Sequence, residues 1–179
     1  DPNAAEATYG HISTWETSAV TDMSELFIDA HDFNEDIGAW DTSRVTKMNG
    51  MFFYAFDFSH DIGGWAVDSV TDMSSMFVDA ASFNSDISGW AVDSVRDMSE
   101  MFYYAASFNQ DISGWAVDSV TSMVYMFNQA FAFDQDLGWC LDEDVQFDDW
   151  GHGYTIQDAF YDTPCASTSC GVQLQDDDG

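Results

Sequence analysis

The chain has 179 residues, 33 Asp and Glu against 3 Lys and Arg, and a formal net charge of −30. With 46 % hydrophobic and 16 % aromatic residues it is not an acidic disordered tail, which would be poor in aromatic side chains. Arg44, Lys47 and Arg96 are too few to displace counterions from phosphate. Nucleic acid and anionic membrane surfaces are thereby excluded as ligands, and cations or basic partners are the compatible ones.

The chain opens Asp1-Pro2-Asn3, as a processed chain or a fragment does, and residues 1–8 read as a short lead. No apolar run approaches the roughly 18–20 residues that span a bilayer, so membrane insertion is not expected. Residues 9–147 then keep a 25-residue step through five full repeats and one partial repeat. Trp15, Trp40, Trp65, Trp90 and Trp115 mark it, and Trp139 follows after one deletion. Val20, Val45, Val70, Val95 and Val120 form a second column, and Met23, Met48, Met73, Met98 and Met123 a third. Phe27, Phe52, Phe77, Phe102 and Phe127 keep step with Phe33, Phe58, Phe83, Phe108 and Phe133.

A unit of this size cannot bury its apolar face alone, and stacking on its neighbours makes one continuous core. Each repeat reads as two elements. Trp65 and Val67, two apart, face one way in a short strand. Met73, Met76, Phe77 and Ala80 have the i, i+3, i+4, i+7 spacing of a helical face. Asp22 with Glu25 and Asp97 with Glu100 have capping-box spacing, which places helix starts at Asp22 and Asp97. The expected fold is α/β: a right-handed parallel solenoid with one short strand and one short helix per coil. Residues 148–179 follow as a Cys-containing cap and an acidic tail ending Asp176-Asp177-Asp178-Gly179.

Residues 70–90, Val-Thr-Asp-Met-Ser-Ser-Met-Phe-x-x-Ala-x-x-Phe-Asn-x-Asp-Ile-Ser-Gly-Trp, resemble the repeat of BspA-like bacterial surface proteins. Similar repeats occur in mycoplasma lipoproteins and in secreted algal proteins. Ile62-x-x-Trp65-x-Val67 also sits where leucine-rich repeats read L-x-x-I-x-I, so the solenoid is expected to be leucine-rich-repeat-like. The resemblance implies a secreted or cell-surface, extracellular and non-catalytic protein, and it carries no catalytic residues to transfer.

Several features are weighed as candidates for chemistry. Asp36, Asp61, Asp86, Asp111 and Asp136 form an acid ladder, with Asn34, Asn84, Asn109 and Asp134 two residues earlier. At strand spacing, stacked carboxylates lie about 5 Å apart and repel, so a cation, backbone donors or outward splaying must offset the charge. Backbone bonding of the turn is the favoured expectation; a calcium site is the alternative. No cofactor is otherwise required. The Trp, Met and Phe columns read as core, not as a sugar platform or a metal site.

Cys140, Cys165 and Cys170 allow three pairings. A Cys165–Cys170 bridge closes a small loop; a bridge from Cys140 pins the tail over the final coil, and this second pairing is slightly favoured. Either suggests an oxidising compartment. His11, His31, His60 and His152 show no paired metal spacing, and the Ser, Thr and Asp recur once per repeat rather than as one asymmetric constellation. An enzyme is therefore not expected.

What varies between repeats points to partners. After the first Phe column come Phe53-Tyr54 and Tyr103-Tyr104, with Tyr125 nearby. Phe53, Tyr54, Tyr103, Tyr104 and Tyr125 are candidate contact residues, set against partly buried edge packing. The expected function is that of a non-enzymatic extracellular structural scaffold that self-assembles end to end into a fibre or surface layer. The alternative is a cell-surface adhesion or recognition module, with calcium dependence as a variant of either.

Overall fold

The computed structural model describes residues 2–148, 153 and 155–175. His152 and the tail Asp176-Asp177-Asp178-Gly179 lie outside the described residues. Helix α1 (Pro2–Tyr9) leads into a 3-10 turn at Ile12–Thr14. From there to the sixth repeat the backbone makes turns rather than helices.

The repeats stack in register. Parallel bridges join Asp22 to Lys47, Lys47 to Asp72, Asp72 to Asp97, Asp97 to Ser122 and Ser122 to Gln146. The last step is 24 residues instead of 25, the same deletion that separates Trp115 from Trp139. Within this stretch alternate N–H groups serve the neighbouring repeat. Met48, Gly50, Phe52 and Tyr54 donate to the carbonyls of Asp72, Ser74, Met76 and Val78 at 2.8–3.0 Å. The intervening N–H groups of Met51, Phe53 and Ala55 close local turns onto Met48, Gly50 and Phe52.

This division of donors explains why the expected short helix is absent. A helix needs every N–H for its own i−4 carbonyl, and here half are committed across the stack. The chain achieves the alternation by entering the left-handed region twice per repeat, at Glu25 and Asp29, Ser75 and Asp79, Glu100 and Tyr104, Tyr125 and Gln129. Asp22 and Asp97, read as helix starts, instead accept the N–H two residues on, from Ser24 and Ser99, both at 2.9 Å. The expected strand around Trp65 and Val67 is likewise an irregular run; the parallel pairing falls at the Asp72 position.

One core runs through the stack. Phe27, Phe52, Phe77, Phe102 and Phe127 stack successively, with ring centroids 5.3–5.7 Å apart. Phe33, Phe58, Phe83, Phe108 and Phe133 do the same at 5.9–6.0 Å. Each buried Phe contributes roughly 1.5–3 kcal/mol relative to exposure. The Met columns are buried beside them, and Trp40, Trp65, Trp90, Trp115 and Trp139 are core residues. Indole N–H groups of Trp40, Trp65, Trp90 and Trp115 donate to Ile carbonyls of the preceding repeat.

The C-terminal segment covers the far end of the stack. Strand β1 (Cys140–Leu141) pairs in parallel with β2 (Gln173–Leu174). Helix α2 (Ile156–Ala159) brings up Phe160, whose ring extends the Phe column. The disulfide joins Cys165 to Cys170, and Cys140 is an exposed free thiol. The slightly favoured pairing through Cys140 is thus corrected: backbone pairing and Phe160 hold the tail down, and the bridge closes the small loop.

Candidate functional site

Outside the core columns, a band of exposed and half-buried aromatic side chains lies on one lateral face. Its columns are set by the backbone: Tyr54, Asp79 and Tyr104 occupy equivalent left-handed positions in successive repeats. A left-handed residue costs about 1–2 kcal/mol unless it is Gly, and Asn or Asp are the usual substitutes. Bulky Tyr there is costly, and ring packing offsets part of that cost. Tyr54 lies edge-on to Phe53 at 4.4 Å and beside Phe56 at 5.9 Å, and Phe56 in turn stacks on His31 at 4.6 Å. One repeat further than Asp79, Tyr104 lies edge-on to Tyr103 at 4.6 Å and to Phe131 at 6.3 Å, while Tyr103 is 6.2 Å from Tyr125.

All five candidate contact residues therefore fall in this band, as two clusters. Tyr54 is 37 % exposed and Phe131 52 %, whereas Phe53, Tyr103, Tyr104 and Tyr125 are half-buried. The clusters are electrostatically linked: burial, then the neighbouring Tyr104, Glu100 and Tyr54, push the Tyr103 phenol above its ordinary value. Asp79 lies between them, and partial burial pushes its carboxyl up as well. The side chains of Glu100 and Ser75 meet at 3.4 Å on the same face.

His31, Phe56 and Phe131 are contributors that sequence reasoning missed. They share a column with Ala81 and Ala106, and that alternation with small residues hid it.

The acid ladder has a different character. Asp36, Asp61, Asp86 and Asp111 each accept the backbone N–H two residues on, from Gly38, Gly63, Ser88 and Ser113, at 2.9–3.1 Å. Asp86 and Asp111 are held below the usual carboxylate value by the hydroxyl and N–H of Ser88 and Ser113. Asn34, Asn84 and Asn109 accept N–H groups of the following repeat at 2.9 Å. Asp136 is exposed. Among the described residues no three His, Cys, Asp or Glu side chains converge as a metal ligand set.

A concave site of about 510 Å³ opens at the N-terminal end, lined by Ile12, Trp15, Phe27, Ala30 and Phe33 with Glu35 at its edge. His11 Nε2 meets Glu35 Oε2 at 3.2 Å there. Leu26 and Ile28 nearby are 50 % and 45 % exposed. Trp15, 39 % exposed where its five counterparts are buried, marks this end.

In-register stacking of 25-residue units and a shared core define a repeat protein. The chain belongs to a family of Mycoplasma proteins of unknown function, DUF285, whose profile matches residues 3–96 and again 60–150. No curated protein and no solved structure matches it. Among the described residues no helix is long and apolar enough to cross a membrane.

Proposed function

We propose that this chain is a non-enzymatic, extracellular recognition scaffold of the BspA-like type, a leucine-rich-repeat-like solenoid whose aromatic face engages a partner. The observation that carries the reading is the gathering of Phe53, Tyr54, Tyr103, Tyr104 and Tyr125 on one lateral face. Tyr supplies large contact area with few rotamers to immobilise, and for that reason it is enriched at interface centres. Four of the five are half-buried within the chain, so their positions are fixed before a partner arrives.

End-to-end assembly is the second reading. It is favoured by the exposed Leu26 and Ile28 and the concave site beside Trp15. It is disfavoured by the covering of the opposite end by α2, Phe160 and β2, since a propagating contact needs both ends.

A peptide array probed with the wild-type chain and with Tyr54→Asn/Tyr104→Asn tests the proposal. Asn tolerates the left-handed backbone, so the fold is retained. Peptides bound by the wild type and lost by the variant support recognition through this face; an identical set of bound peptides contradicts it.

A further inference from the structure

We propose that the aromatic face is a receptor for arginine side chains, and that its occupant is an arginine-rich segment of a partner protein. This rests on the recognition reading above and names the chemistry of the partner.

Three observations converge on it. First, Tyr54, Asp79 and Tyr104 are consecutive members of one column, joined through the backbone bonds Tyr54 N–H to Val78 O at 2.9 Å and Asp79 N–H to Tyr103 O at 2.8 Å. Repeats stack at roughly 5 Å, so the backbones of the two tyrosines stand one on each side of the Asp79 backbone, about 10 Å apart. The column thus presents an aromatic, an acidic and an aromatic residue in succession, a pattern that suits a planar guanidinium, which can stack on a ring face while its N–H groups meet a carboxylate.

Second, Asp79 is a half-buried carboxylate whose desolvation no positive group relieves. An arriving cation would offset that penalty by its attraction to the carboxylate. Glu100, beside Tyr103, adds a second acid on the same face. The ring faces of Tyr54, Tyr103 and Tyr104 are negative in their quadrupole and attract the same charge.

Third, the charge of the chain selects against the other obvious occupant. At −30 with three basic residues, a second copy brings repulsion and almost no cation to meet this face. Arginine is preferred to lysine because its fork can bond a carboxylate while stacked on an aromatic ring, and a compact ammonium cannot do both as well.

The test titrates the full chain with a fluorescent peptide of alternating Arg and Gly at about 150 mM salt, where delocalised attraction is screened beyond roughly 8 Å. Tyr54→Asn/Tyr104→Asn leaves the net charge unchanged and is expected to weaken binding about tenfold or more, as is Asp79→Asn. Tyr54→Phe/Tyr104→Phe keeps the rings and should stay within about threefold of wild type. Asp36→Asn/Asp61→Asn removes two charges away from the face and should change the affinity less than about twofold. Thermal unfolding of each variant verifies the fold. Equal weakening by the Asp36/Asp61 pair, or no effect of the tyrosine pair, would overturn the proposal by showing that binding is spread over the acidic surface. Peptides that depend on Tyr54 and Tyr104 but contain no Arg would overturn it while leaving the recognition reading intact.

Discussion

Phe160 stacks on Phe127 with ring centroids 5.4 Å apart, although 33 residues separate them where every earlier partner in the column is 25 residues away. The Phe127 N–H donates to the Ala159 carbonyl at 2.8 Å, so the backbone of the tail also takes the place of a further repeat. The tail is therefore a cap built from the repeat's own contacts, and it ends the stack without a new architecture.

Removing that ring should uncover the end of the core. Phe160→Ala is expected to lower stability by about 3–5 kcal/mol, the usual cost of truncating a buried Phe. Tyr161→Ala next to it, at a residue 55 % exposed, should change stability by less than about 0.5 kcal/mol. Urea unfolding of the two variants checks the contrast, and equal losses would mean the cap is held by something other than the Phe160 ring.

The bridge within the cap has a chemical signature. Alkylation of the folded, unreduced chain should label one thiol, Cys140, and mass spectrometry should find Cys165 and Cys170 protected. Replacing both bridged cysteines by Ala should remove about 2 kcal/mol, since the loop they close is short. Cys140→Ser should leave stability unchanged. Labelling at Cys165 or Cys170 would contradict the pairing.

Backbone strain gives a prediction in the opposite direction. Ser75 sits at φ 56°, the position that Gly50 fills in the preceding repeat at φ 61°. Glycine adopts this region without a Cβ penalty, so Ser75→Gly should gain up to about 1 kcal/mol after its greater unfolded-state entropy is deducted. Gly50→Ala should lose a similar amount, and its Cβ would also press on the Glu25 side chain at 3.3 Å. Urea midpoints moving together for both substitutions would refute the assignment of strain.

The period and the buried Trp, Met and Phe columns were legible because a 25-residue recurrence of large apolar side chains has one economical outcome, a shared core. The local conformation was not. Met73, Met76 and Phe77 are buried in consecutive turns as readily as on a helix, and the feature that separates the two is the destination of alternate N–H groups, which leaves no mark in the side-chain pattern. Tyr54, Tyr104 and Tyr125 stood out by breaking their columns, whereas Phe56 and Phe131 did not because alanines interrupt theirs. The end of the stack was obscured by the irregular 33-residue step to Phe160, and three cysteines carry no pairing information of their own.

Acid titration should separate two kinds of carboxylate. Burial raises the pKa of Asp79 above 3.8, so its charge opposes folding wherever it is ionised. Asp79→Asn should therefore stabilise the fold at pH 7, and the gain should shrink as pH falls through the raised folded pKa and vanish below 3.8, where Asp79 is protonated folded or unfolded. Asp111 has the opposite sign: the Ser113 hydroxyl and N–H hold it below 3.8, so its support is complete above that value and is lost as pH falls through its lower folded pKa. Unfolding midpoints of Asp79→Asn and Asp111→Asn across pH 3 to 7 check both signs; an Asp79→Asn gain that is constant with pH would contradict the account. A residue whose removal stabilises the fold and weakens binding is the expected mark of a functional site.

The measurement that bears most directly on the central claim is a two-dimensional NMR titration of the full chain with the arginine–glycine peptide. The account predicts that shifts concentrate on Tyr54, Asp79, Glu100, Tyr103 and Tyr104. Shifts spread along Asp36, Asp61, Asp86 and Asp111, or confined to the N-terminal end around Trp15, would contradict it.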